Sequence, residues 1–186
     1  MNPFRKRAPS PPPAAPPLSR VQRDTVARPG PAEPGDLVRM LRDPVIRSAL
    51  AVKRKGVIAA PWRLVGDPER CAFVEDAFAR MEGSPLTIVD GALDALARGL
   101  SVGEIEWTEE DGALRIRAVR PRDPSAFGLR LDAAGRIEGL VHRPPDGGGE
   151  REVPIERFLV WRHEPGWDAP RGRSDLDAAR PHWRAK

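Results

Sequence analysis

The chain has 186 residues, enough for one domain with a buried core, and a formal net charge of +4. All of that charge lies in the first 35 residues, where six Lys/Arg face two acids. The remainder balances 25 against 25, so a pI of about 9.9 is not the signature of a basic nucleic-acid surface on the folded part.

Residues 1–35 hold ten of the 22 prolines and few large apolar side chains. Such a segment cannot bury enough surface to order itself, and a disordered, partly polyproline tail is predicted there. Its Arg5-Lys6-Arg7 run is read as a solvated end, with nucleic acid or an acidic surface as the competing use. Prolines follow the basic start where a secretory leader would be apolar. No apolar run reaches the roughly 20 residues of a membrane span, and one cysteine leaves no internal disulfide.

Helix starts are legible next. Asp43-Pro44, Asp67-Pro68 and Ser84-Pro85 each put a capping side chain before a proline at the first helical position. After Asp43, the rows Val45/Ala49/Val52 and Ile46/Leu50/Val57 form an apolar face, and Lys53-Arg54-Lys55 suit the helix's negative end. Cys71, Val74, Phe78 and Met81 space a second helix. Leu86, Val89, Leu93, Leu96 and Leu100 space a third, stopped at Gly99. Asp36 is expected to cap a short helix through Leu41, and Trp62 to Val65 is a short candidate strand.

Strands take over at GLSVGEIEW. Residues 101–107 and 113–119 read as a hairpin around the loop Glu109-Glu110-Asp111-Gly112. That register sets Ile105 opposite Ile116, Trp107 opposite Leu114, Glu106 opposite Arg115 and Glu104 opposite Arg117. Glu104 and Glu106 stand about 7 Å apart by strand geometry, within range of an inverting glycosidase pair. A guanidinium beside each lowers a carboxylate's pKa instead of raising it, so they are read as the polar face of the hairpin. Phe127, Leu129 and Leu131 alternate against Ile137 and Val141, with Arg130 opposite Glu138 around the Asp132–Arg136 turn. A flexible loop over 143–152, a buried strand Phe158-Leu159-Val160-Trp161, and a last helix from Asp175 broken at Pro181 complete an α+β fold: capped helices followed by antiparallel hairpins.

No catalytic constellation assembles. Gly147-Gly148-Gly149 lacks the Lys-Ser/Thr of a phosphate loop. His142, His163 and His182 are dispersed, which speaks against a metal site. Cys71 sits on an apolar helix stripe as a small hydrophobe, although sequence distance alone leaves a Cys–His pair open. The five tryptophans are spread out and give no stacking platform for single-stranded nucleic acid. No catalytic, cofactor-binding or metal residue is assigned, nucleic-acid-binding residues stay unassigned, and no enzyme is expected.

Five segments in order carry a family resemblance: DPVIRSALAVKRKGVIAAPWRLV, GALDALARGLSVGEIEW, RPRDPSAFGLRLDAAG, VPIERFLVWRHE and GRSDLDAARPHWRAK. From about Asp36 to Lys186 the chain is similar to the N-terminal part of tailed-phage portal proteins, in the Mu-like prophage portal family. The resemblance implies a portal wing-like α+β domain over 36–186, ending before the stem and clip, behind a tail over 1–35. It implies a structural, non-enzymatic part of a ring, usually of twelve subunits, at one capsid vertex of the virion, through which DNA is packaged and ejected. Implied partners are copies of itself, the terminase, capsid and head-completion proteins, and double-stranded DNA in the channel. Assembly would take place in the bacterial cytoplasm, with no cofactor and no membrane. Arg171 stands before Gly172 where relatives often carry an aromatic. The alternative is a small nucleic-acid-binding module acting through the basic tail.

Overall fold

The computed structural model describes residues 26–27, 34–144 and 147–185, so most of the expected disordered tail, Arg5-Lys6-Arg7 included, lies outside the described residues. Within the tail, β1 (Val26–Ala27) is a two-residue edge strand, where no strand was expected. Helices α1 (Pro34–Arg42), α2 (Pro44–Ile58), α3 (Pro68–Arg80), α4 (Pro85–Ala92) and α5 (Ala95–Arg98) follow. The three cap-proline pairs form as predicted. Asp43 accepts from the Val45 and Ile46 amides at 2.9 and 3.2 Å, Asp67 from Arg70 at 3.1 Å, and Ser84 from Thr87 at 3.3 Å. Each satisfies donors that a helix start leaves open.

Three expectations in the helical half are corrected. Asp36 does not cap α1, which begins at Pro34; its carboxylate accepts from Arg184 Nε at 2.7 Å. Trp62–Val65 forms no strand among the described residues, and the Trp62 ring stands edge-on to Phe78 at 6.3 Å. The single helix expected from Ser84 to Gly99 breaks between α4 and α5, and Arg54 explains the break. The Asp90 carbonyl, which an unbroken helix would give to the Asp94 amide, instead accepts from Arg54 Nη2 at 2.9 Å. The Asp94 amide turns to Gly91 O at 3.3 Å, and Arg54 also holds the Asp90 and Asp94 carboxylates at 3.0 and 2.6 Å.

Two antiparallel sheets follow. One has the order β3-β2-β7, from β2 (Leu100–Glu110), β3 (Ala113–Arg122) and β7 (Phe158–Arg162). The other runs β1-β4-β5-β6, adding β4 (Phe127–Leu131), β5 (Ile137–His142) and β6 (Arg151–Val153). The first hairpin differs from its predicted register. Its turn has two residues, Asp111 and Gly112, with φ of 54° and 70°, the all-positive geometry of a tight hairpin turn that suits Asp-Gly. Trp107 therefore faces Ile116, and a bulge beyond Glu106 shifts the rest, so Glu106 faces Ala118 and Glu104 faces Arg120. In the second hairpin a bulge after Arg130 sets it opposite Gly139 instead of Glu138, while Leu129 faces Leu140 and Leu131 faces Ile137. The predicted turn over Asp132–Arg136 forms, with the Asp132 amide donating to Arg136 O at 2.9 Å.

Leu100 and Val102 of β2 meet Phe127, Leu129, Leu131 and Leu140 in the core between the sheets. A second core joins Met40, Ala97 and Leu176 with Leu37, Ile46, Leu50 and Trp183. β7 is an edge strand and not the buried one expected, because only Phe158 and Val160 turn toward the core; Leu159 and Trp161 stay exposed. Helix α6 (Leu176–Arg184) runs through Pro181 without the expected break. One ladder bond is lost there, but Ala179 and Trp183 remain packed on the second core and Arg184 ties the last turn to Asp36.

The two cores are joined where Gly99, at the start of β2, passes the Gly172 backbone. Both have positive φ, 77° and 96°. A Cβ on Gly99 would lie 2.7 Å from Gly172 O, and one on Gly172 would lie 2.6 Å from His163 O, closer than carbon and oxygen can pack. The crossing is held by His163 N donating to Gly99 O at 2.8 Å, Arg173 N to His163 O at 2.7 Å, and Asp175 N to Leu96 O at 2.8 Å. Gly172→Ala should therefore lose about 2–4 kcal/mol of stability in urea unfolding. Gly56→Ala, in the last turn of α2 with open space around it, should gain up to about 0.5 kcal/mol.

Candidate functional site

The carboxylates singled out in the sequence, Glu104 and Glu106, both lie on β2 and both meet arginines. They are not the arginines the predicted register named. Glu106 Oε1 accepts from Arg120 Nε at 3.2 Å, and Arg120 also reaches Glu82. Glu104 is shared by Arg122 at 2.7 Å and Arg157 at 3.2 Å. The two-residue turn moves each facing position two residues along β3 and the bulge moves it one more, and each glutamate then reaches diagonally to the arginine two residues beyond the one opposite, so Arg120 and Arg122 replace Arg115 and Arg117. Arg115 turns instead into the α3 packing, 2.7 Å from Asp76 and 5.0 Å from the Phe73 ring centre. The hydrogen bond from Arg120 holds the Glu106 carboxyl below its ordinary range, the direction opposite to that of a general acid. The adjoining depression, lined by Ile105, Trp107, Arg117 and Arg157, is open to solvent.

A larger cleft of about 890 Å³ lies beside it, between the sheets, and includes Glu104, Phe127, His142, Arg151, Arg157 and Phe158. The Phe127 ring lies tilted against His142 at 5.1 Å and edge-on to Phe158 at 5.4 Å. Behind Phe127 sits Arg171, a residue whose role sequence reasoning left open. Its guanidinium donates to Phe127 O and, at 2.8 Å, to Pro124 O, which laces the 171–173 turn to the second sheet. Burial, with the nearby charge of Arg143, pushes the Arg171 pKa down to about 10.

His163 Nε2 lies 3.0 Å from Asp175 Oδ1, and Lys53 Nζ donates to Asp175 Oδ2 at 2.9 Å. Burial raises the Asp175 pKa, but the bonds from Lys53 and His163 outweigh it and leave the carboxyl low. This cluster, which no sequence motif marks, ties α2, β7 and α6 together. Cys71 is half-buried on α3, and the histidine contacts run elsewhere, to Phe127 and Asp175. Gly147 to Gly149 belong to the β5–β6 connection. Among the described residues no three His, Cys, Asp or Glu side chains group to hold a metal, and no helix is long and apolar enough to cross a membrane.

The arrangement is thus a set of charge-paired surfaces around two small cores. Residues 37–186 match the family described as the portal protein of Mu bacteriophage. The chain belongs to the Mu portal family. Its fold is also similar to solved chains of gene transfer agent (GTA) particles. A chain from the neck of an empty GTA particle, computed with C6 symmetry, superposes with a TM-score of 0.61 at 16% identity, covering 82% of this chain and 44% of that one. A chain from the virion of a native GTA particle gives 0.55 at 17% identity, covering 79% and 41%. One from the neck of the native particle, computed with C12 symmetry, gives 0.53 at 17%, covering 78% and 40%. The portal-family chain thus spans about two fifths of the length of these neck and virion chains. No curated protein sequence matches it.

Two outcomes follow from the charge pairing. Glu106 and Asp76, the latter lowered by its Arg80 hydrogen bond, have folded-state pKa values below their unfolded ones. Their contribution is present above about pH 4 and is lost as pH falls through the folded values. The unfolding midpoint should be level from pH 5 to 8 on account of these groups and drop below about pH 4. Glu104→Gln should cost less than about 1 kcal/mol, since its arginines are solvated; urea unfolding checks it.

Proposed function

We propose that this chain is a structural subunit of a phage-type portal, forming the outer, wing-like part of a ring at one capsid vertex of the virion. The supporting observation is the family match over residues 37–186, which takes in both cores and the glycine crossing between them. The C12 symmetry of a neck whose chain shares this fold supports self-association into a ring, with twelve copies as the reading. In that role the subunit would meet copies of itself, the capsid, the terminase and head-completion proteins, while double-stranded DNA passes through the channel during packaging and ejection. Assembly would precede release, in the bacterial cytoplasm.

The chemistry fits such a part. Glu104 and Glu106 are each ion-paired to arginines, which serves a rigid polar face, and the Arg120 hydrogen bond keeps the Glu106 carboxyl low, unlike that of a general acid. In a portal, ATP hydrolysis falls to the motor, and this subunit supplies shape and contact surfaces.

Immunogold labelling of an epitope-tagged chain in particles from the producing cell tests the proposal. One label cluster per head, at the tail vertex, is expected, and deletion of the gene should yield heads without DNA. Label spread over the shell, or DNA-filled heads after the deletion, would refute it.

A further inference from the structure

The cleft of about 890 Å³ between the two sheets falls within the roughly 300–1,000 Å³ of ligand pockets. Arg151, Glu152 and Val153, the whole of β6, border it in unbroken succession. Neighbouring residues of a strand point to opposite faces. Three in a row therefore place the cleft along the backbone edge of β6, not against one of its faces. β6 is the outermost strand of its sheet and pairs on one side with β5. Its other side meets no strand among the described residues. Phe127, Val153 and Phe158 give the cleft an apolar floor continuous with the first core.

The charges around it lean positive. Four arginines, Arg122, Arg143, Arg151 and Arg157, line the cleft against Glu104, Asp123 and Glu152. Arg122 and Arg157 share a single carboxylate, that of Glu104. Glu152 is taken at 2.8 Å by Arg130, which does not line the cleft, and Asp123 accepts from the Ser125 amide at 2.9 Å. Arg143 is held by Glu150. Arg151 is exposed and makes no ion pair among the described residues.

We propose that this cleft is a docking groove for an extended acidic segment of another protein, which adds a strand to the free edge of β6 and sets carboxylates against Arg151 and Arg157. In strand addition the main-chain hydrogen bonds hold the segment and the alternate side chains select it. One set of side chains would rest on the apolar floor, and the other would reach the guanidiniums in charge-assisted hydrogen bonds. The chain's own first 35 residues, with six cations against two acids, carry the wrong sign to fill the groove. The acidic run Glu109–Asp111 of a second copy is already folded into a tight turn and offers no free strand. Nucleic acid has the right sign, but Phe127 is 4% exposed, with His142 and Phe158 leaning on it, which leaves that ring no open face for a base. The inference goes beyond the portal reading and does not depend on it.

Fluorescence polarisation of the full chain with labelled peptides of about eight residues tests the groove, and hydrogen exchange locates it. The probe alternates glutamate and valine. One control alternates lysine and valine; the other alternates glutamate and proline, which keeps the charge and removes N–H donors that a ladder needs. The glutamate–valine peptide should bind saturably and slow exchange of the amides of residues 151–153. Both controls should bind more weakly by about tenfold or more, and Arg151→Glu with Arg157→Gln should weaken the probe by a similar factor. Circular dichroism should show that variant folded, since both arginines are exposed. Absence of saturable binding, equal binding of either control, indifference to the double substitution, or unchanged exchange at residues 151–153 each overturns the proposal. So does a single-stranded DNA octamer that binds more tightly than the probe and is lost with the same substitutions, which would assign the arginines to phosphate.

Discussion

Two backbones cross at Gly99 and Gly172 with no room for a side chain on either, and both cores depend on that crossing. Gly99 ends the helical cluster and starts the central strand of the three-stranded sheet. Gly172 belongs to the segment that returns from β7 to α6. Where they touch, the core around Leu100 and Leu129 meets the core around Met40 and Leu176. The hydrogen bonds of His163, Arg173 and Asp175 fix the geometry, and the Lys53–Asp175–His163 cluster adds charge to it. Small cores of this size leave little margin in stability, so one junction shared by both matters more than it would in a large domain.

Much of the fold was legible because its signals were local. An Asp or Ser before a proline fixes a helix start through one side chain and one missing N–H, and all three such pairs behave as expected. The antiparallel order of hairpins after helices followed from alternation and turn residues. The misread parts depended on partners distant in sequence. The split between α4 and α5 comes from Arg54, 36 residues before Asp90. The first hairpin's register depended on choosing between a two-residue and a four-residue turn, and on a bulge that alternation does not reveal. Pro181 failed to end α6 because tertiary packing on Trp183 outweighed the lost bond.

The acidic pair shows how a right conclusion can rest on wrong pairings. Glu104 and Glu106 are neutralised by arginines, as the alternating charges implied, yet the arginines are Arg122, Arg157 and Arg120. Arginines recur along β3 at 115, 117, 120 and 122, so carboxylates on β2 meet a guanidinium even when the register shifts. The surface stripe of α2 was legible as apolar but not as unburied, since periodicity gives a face and says nothing about what covers it.

The bond between Asp36 and Arg184 has a topological consequence. It brings the first described helix and the last to one corner of the second core. Losing that one ion pair would therefore loosen the start and the finish of the second core together.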